Sequence, residues 1–183
     1  MSGHIIAIMG GKGGQGKSQV AANLAFAWTS ETKSKVCLLD FDQRASGDLN
    51  LITGISGKKT VKDLSEFNGA IDPRSLATFV TAHPSGVNDP SASDNINIEG
   101  LGKTLKSITN IFPLTIIDLG SEITPLAQKA LEYTTMVFLV VTPDILALNQ
   151  TKRLFNDLVT MMYPKDMLQI ILNQYVKGHP VTP

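Results

Sequence analysis

Four glycines, two lysines and a serine fall within eight residues near the start of the chain: residues 11–18 read GKGGQGKS. The stretch fits G-x-x-x-x-G-K-[ST], a loop whose backbone N–H groups turn inward around an anion. Side chains at Gly13, Gly14 and Gly16 would crowd those donors or forbid positive φ, so glycine has a mechanical reason to stand there. In such a loop Lys17 reaches the β and γ phosphates of a nucleotide, and the Ser18 hydroxyl ligates Mg²⁺. The chemistry implied is nucleotide phosphate binding, with Gly11, Lys12, Gln15 and Gln19 in the same contact set.

Acids stand where hydrolysis would need them. Asp40 closes the apolar run 35–40 (KVCLLD), Asp42 follows two residues later, and Asp118 closes 114–118 (LTIID). At the carboxyl edge of an open parallel sheet, beside the first strand's loop, carboxylates can position Mg²⁺ and orient an attacking water. Asp118 suits the metal-supporting acid, directly or through a water. Asp42 is the candidate that orients the water at the edge of the metal site. The plainer reading, that each aspartate caps a following loop or helix, carries most weight for Asp40.

Holding these residues together requires strands and helices in alternation. Residues 4–9 (HIIAIM) have strand length and apolar character, and after the loop Val20, Leu24 and Trp28 fall at helical spacing on one face. Runs of continuous apolar residues at 35–40, 114–118, 136–141 (MVFLVV) and 167–172 (MLQIIL) suit strands covered on both faces by helices. Strand, helix, strand order then implies a parallel sheet with right-handed crossovers. Thr60 and Asp63 form a capping box for a helix over 61–67. A helix is expected over 125–133, and another is capped by Asp144 and runs toward 162. A short strand at 95–98 and a helix at 102–110 complete the pattern. Residues 85–95 (SGVNDPSASDN) read as a surface loop, either a plain connector or a partner-docking insert.

The chain of 183 residues suits one α/β domain with a real core. Its formal net charge of +0 supplies no general drive toward DNA or anionic membrane. The single cysteine, Cys37, lies in an apolar run, which excludes intramolecular disulfides and fits a reducing cytoplasm. No run approaches the ~20 apolar residues of a membrane span, and no export signal opens the chain.

KGGQGKS with the additional Lys12 at its opening, then LLDFD, then IIDLG, resembles the deviant-Walker-A family of MinD and ParA ATPases. The resemblance implies a P-loop α/β fold with a mostly parallel sheet flanked by helices, and ATP with Mg²⁺ as cofactors. It gives the Walker A roles to residues 11–18, the Walker B role to Asp118 and the water-orienting role to Asp42. Lys12 becomes the second lysine, reaching the partner's nucleotide in an ATP-sandwiched homodimer. Asn173, in ILNQY, stands where the family places an adenine-contacting asparagine. SGDLNL after Asp42 and HPSG at 83–86 resemble the pilus-associated branch typified by CpaE and TadZ.

The resemblance thus implies a cytoplasmic ATPase switch that positions a pilus, secretion or division apparatus or a DNA cargo. A protein partner would stimulate hydrolysis, and partners would supply any recruitment to the inner membrane or a cell pole. Some residues depart from the pattern. Gln19 replaces a hydroxyl residue, and Gln43 and Arg44 replace the usual proline and glutamine after the second aspartate. The family continues several dozen residues past the last strand, so residues 1–183 are expected to form a single nucleotide-binding domain, shortened at its C-terminus. Two other readings stay open: an ATP-dependent metabolic enzyme on the same scaffold, and a module that binds nucleotide without efficient turnover.

Overall fold

The computed structural model describes residues 3–44, 48–54, 60–66 and 96–177. The strands are β1 (His4–Met9), β2 (Val36–Asp40), β3 (Leu114–Gly120), β4 (Met136–Val141) and β5 (Leu168–Leu172). The helices are α1 (Lys17–Thr32), α2 (Asp48–Thr53), α3 (Val61–Ser65), α4 (Ile98–Thr109), α5 (Pro125–Leu131) and α6 (Ile145–Thr160), with a 3₁₀ turn over Lys165–Met167 before β5.

The strands form one sheet in the order β2-β3-β1-β4-β5, and every pairing is parallel. Parallel pairing demands long crossovers, which the helices supply. Side chains alternate across the sheet, so neighbours in sequence serve opposite cores. Leu38 and Ile116 pack with Ala21, Ala22 and Ala25 of α1 and Leu49 of α2 on one face. Leu39 and Ile117 pack with Leu101 and Leu105 of α4, Ala127 of α5 and Leu154 of α6 on the other. Because α1 leaves β1 toward one face while α5 leaves β3 toward the other, the loops after β1 and β3 diverge. The crevice at such a reversal is where open α/β sheets bind ligands.

Register brings the acids together. Asp40 is the direct partner of Asp118 across β2 and β3, and Ile8 pairs with Asp118 from the other side. The bulge between Ile8 and Met9 pairs Met9 with Gly120 and so shifts the last residue of β1 just before the glycine loop begins.

Three expectations change. The buried apolar stripe of α1 is Ala21, Ala22 and Ala25, with Val20 and Leu24 partly buried against the same core, while Trp28 is 39% exposed. The expected strand at 95–98 gives way to helix: Asn97 is the N-cap of α4, its side chain accepting from the Gly100 N–H, so the helix opens at Ile98 and not at 102. The Thr60–Asp63 capping box is present in both directions, but α3 ends at Ser65, and Phe67 lies outside the described residues. Loop 85–95 and the HPSG stretch also lie outside them. Among the described residues no helix is long and apolar enough to cross a membrane.

Candidate functional site

The loop between β1 and α1 is built as an anion cradle. Gly14 and Gly16 take φ values of 76° and 82°, a left-handed backbone that side chains resist. Gly16 is also the N-cap of α1 and contributes no side-chain cap, so the first N–H groups of a 16-residue helix are left facing the cavity. A helix N-terminus of this kind attracts phosphate through its donors and its dipole. The Lys17 amine, on a side chain only 6% exposed, donates to the Lys12 carbonyl at 3.1 Å, which holds it beneath the loop. At Gly13, unlike Gly14 and Gly16, φ is not positive, and a Cβ there would meet no atom of the described residues within 4 Å, so nothing in the protein's own packing requires glycine at that position.

Contacts from distant parts of the chain fasten the cradle. A Cβ on Gly11 would collide with the backbone of Gln150 and Thr151, which shows how closely the loop lies against α6. Gln15 is fully buried, and its Oε1 accepts the Lys12 N–H at 3.0 Å. Asn173, just past β5, donates its amide to the Gln15 carbonyl at 2.8 Å. The structure therefore brings Asn173 to the loop, where it braces the backbone. Gln19 is exposed at the start of α1 and lines the same cavity of about 640 Å³ as Lys12, Lys17, Ser18 and Asp42.

The acids lie beside the cradle. Asp118 is fully buried, and burial pushes its carboxyl above the ordinary range, with the Ser18 hydroxyl and the Gly120 N–H pulling it partly back. Its Oδ1 accepts from Gly120 at 3.1 Å, while Oδ2 is buried and has no hydrogen-bond partner among the described residues. Asp40, 2% exposed, is pushed up to about 8 by burial and then by the charge of Asp118. Its Oδ1 accepts the Asp42 N–H at 3.1 Å, so Asp40 orders the turn that carries Asp42. The Asp42 carboxyl in turn lies directly against Gly120, whose φ of 72° and missing Cβ make room for it.

Two ion pairs engage residues that line the cavity, Lys12 in one and Arg44 with Glu122 in the other, and neither has a spacing signal in the sequence. Lys12 Nζ lies 3.3 Å from Asp144 Oδ1, which also accepts the Ala147 N–H as the N-cap of α6. Arg44, whose N–H donates to Asp42 Oδ1 at 2.9 Å, pairs through its guanidinium with Glu122 Oε1 at 2.5 Å.

Among the described residues no group of three or more His, Cys, Asp or Glu forms a metal cage. Mg²⁺ does not need one when phosphate oxygens and water complete its octahedron. The hard oxygen donors present fit it: the Ser18 hydroxyl beside Asp118, whose Oδ2 is an acceptor without a donor among the described residues.

Residues 6–181 match the CobQ/CobB/MinD/ParA nucleotide binding domain. The septum site-determining protein MinD of Thermotoga maritima is 24% identical over 98% of this chain and 66% of its own length. Among solved structures, a ParA family ATPase from Chlorobium tepidum superposes with a TM-score of 0.81 at 24% identity, covering 93% of this chain and 74% of that one. MinD from Pyrococcus horikoshii, complexed with Mg-ADP, gives 0.70 at 28% identity, covering 98% and 74%. The chain spans 56–66% of the length of the curated relatives it matches. Motif, sheet order and likeness agree: the chain belongs to the CobQ/CobB/MinD/ParA nucleotide-binding domain family.

Proposed function

We propose that this domain is a Mg²⁺-dependent ATP-binding and ATP-hydrolysing switch of the MinD/ParA type, whose nucleotide state controls a homodimer. The observation that carries this reading is the uncapped N-terminus of α1 behind Gly14 and Gly16, with the Lys17 amine beneath it and buried acids alongside. Residues 11–18 would hold the phosphates, with Gln19 at their edge and Asn173 bracing the loop. The Ser18 hydroxyl, with Asp118 behind it, would hold Mg²⁺, which supplies charge neutralisation on the phosphates. Asp42 would orient the attacking water, and Asp40 keeps the Asp42 turn in place.

Lys12 pairs with Asp144 on an exposed rim of the site. A lysine there is poised to serve a neighbouring subunit's nucleotide, since Lys17 already covers the β and γ oxygens. As a dimer switch in the cytoplasm, the domain would serve spatial positioning of a pilus, secretion or division apparatus or of DNA, with a protein partner stimulating turnover.

The test measures ATP turnover and molecular mass together, with and without Mg·ATP, on wild type, Lys12→Ala, Lys17→Ala and Asp42→Ala. The expected pattern is ATP-dependent dimerisation and turnover in wild type, and loss of ATP binding in Lys17→Ala. Asp42→Ala should bind without hydrolysis, as should Lys12→Ala. Turnover per monomer that is independent of protein concentration and unaffected by Lys12→Ala would replace the switch with a metabolic enzyme. Dimerisation without turnover would reduce it to a binding module.

A further inference from the structure

Arg44 and Glu122 come from different loops, four residues past Asp40 at the end of β2 and two past Gly120 at the end of β3, yet both line the nucleotide cavity. Their side chains pair at 2.5 Å while staying 74% and 46% exposed. A solvated pair of this kind holds weakly. The backbone beneath is better fixed: the Arg44 N–H is bonded to Asp42 Oδ1, and the Asp42 carboxyl abuts Gly120. Arg44 therefore belongs to the turn that carries Asp42, the group assigned to the attacking water, and lines one cavity with Lys17 and Ser18 at the start of α1. A water oriented by Asp42 would attack the terminal phosphate, so that phosphate would lie in the cavity that Arg44 lines.

Resting on the ATP reading above, we infer that Arg44 is a specificity-determining residue that senses the terminal phosphate. Without nucleotide, Glu122 holds the guanidinium across the mouth. The γ phosphate of ATP, doubly charged and able to take both arms of the planar fork, displaces the single carboxylate. ADP ends at the β phosphate, within the reach of Lys17 and the loop N–H groups, and leaves the Arg44–Glu122 pair intact. The exchange unfastens the β3 loop from the β2 loop only when ATP is present, so the two loops report the nucleotide's state. Glutamate sets the threshold: a stronger grip on Arg44 means weaker preference for the triphosphate.

Calorimetric titration of Mg²⁺ with ADP, and of Mg²⁺ with a non-hydrolysable ATP analogue, tests this on the whole chain. Arg44→Ala should weaken analogue binding roughly tenfold and ADP binding less than about twofold. Arg44→Lys should recover little, because an ammonium lacks the fork. Glu122→Gln should tighten the analogue and leave ADP unchanged, and the double variant should match Arg44→Ala. Equal weakening of both nucleotides by Arg44→Ala, no change in either, or weaker analogue binding in Glu122→Gln would overturn the proposal. Lys17→Ala separates the two failures. If it weakens both nucleotides while Arg44→Ala leaves their ratio untouched, the sensor alone falls; if it weakens neither, the phosphate-loop reading falls and takes the sensor with it.

Discussion

The loop after β1 and the loops after β2 and β3 face one cavity but are held in opposite ways. The first is fixed from beneath by a buried glutamine, a lysine amine, an asparagine from beyond β5 and the backbone of α6. The others are fastened at their outer ends by the exposed pair of Arg44 and Glu122. Backbone and buried amide contacts cannot be exchanged for water without a penalty, whereas solvated charges can change partners cheaply. The difference separates a half that is preorganised to bind from a half that is free to respond.

The largest expected effect checks that softness stops at the loop. Burial pushes the Cys37 thiol, at the second residue of β2, up to about 12. At about pH 8 a disulfide reagent should therefore modify folded protein at least ~1,000-fold more slowly than urea-unfolded chain, since only thiolate attacks. Modification at the unfolded rate would mean that β2 opens together with its loop, and the contrast would be lost.

Next comes the rigid half itself. Gly11→Val would drive a side chain into the backbone of α6, and overpacking of this kind should lower unfolding free energy by about 3 kcal/mol in denaturant titration and abolish nucleotide binding. A variant as stable as wild type would show that the loop can lift away from α6. Gln15→Ala is a milder break. It leaves the Lys12 N–H without its acceptor and should cost about 1–2 kcal/mol, with weaker ATP binding by calorimetry.

The smallest effect sharpens the comparison from the other side. Arg44→Ala should leave the unfolding free energy unchanged within about 0.5 kcal/mol, because the pair is exposed. A loss comparable to that of Gln15→Ala would place the second loop in the same mechanical class as the first.

Much of this was legible in the chain. The β1–loop–α1 unit, the five strands and the capping residues Thr60 and Asp144 follow from local spacing, because dihedral preference and hydrophobic period act over a few residues. Legibility failed where packing distance mattered. Val20 and Leu24 do pack, partly buried, beside the alanines, yet Trp28 at the same spacing is exposed, since apolar period alone does not say how closely a helix approaches. The helix capped by Asn97 was misread because a short apolar stretch does not distinguish strand from helix start.

The phosphate loop with its lysines, the α/β alternation and the acids at strand ends are properties of neighbouring residues, and the chain order alone is enough to read them. What those residues meet across the molecule is a property of the folded chain. Strand order β2-β3-β1 sets Asp40 beside Asp118 although they lie 78 positions apart in the chain. The full strand order carries Asn173 back to the loop and joins Arg44 to Glu122 and Lys12 to Asp144. Such contacts depend on where crossovers return the chain in space, and no local spacing encodes that return.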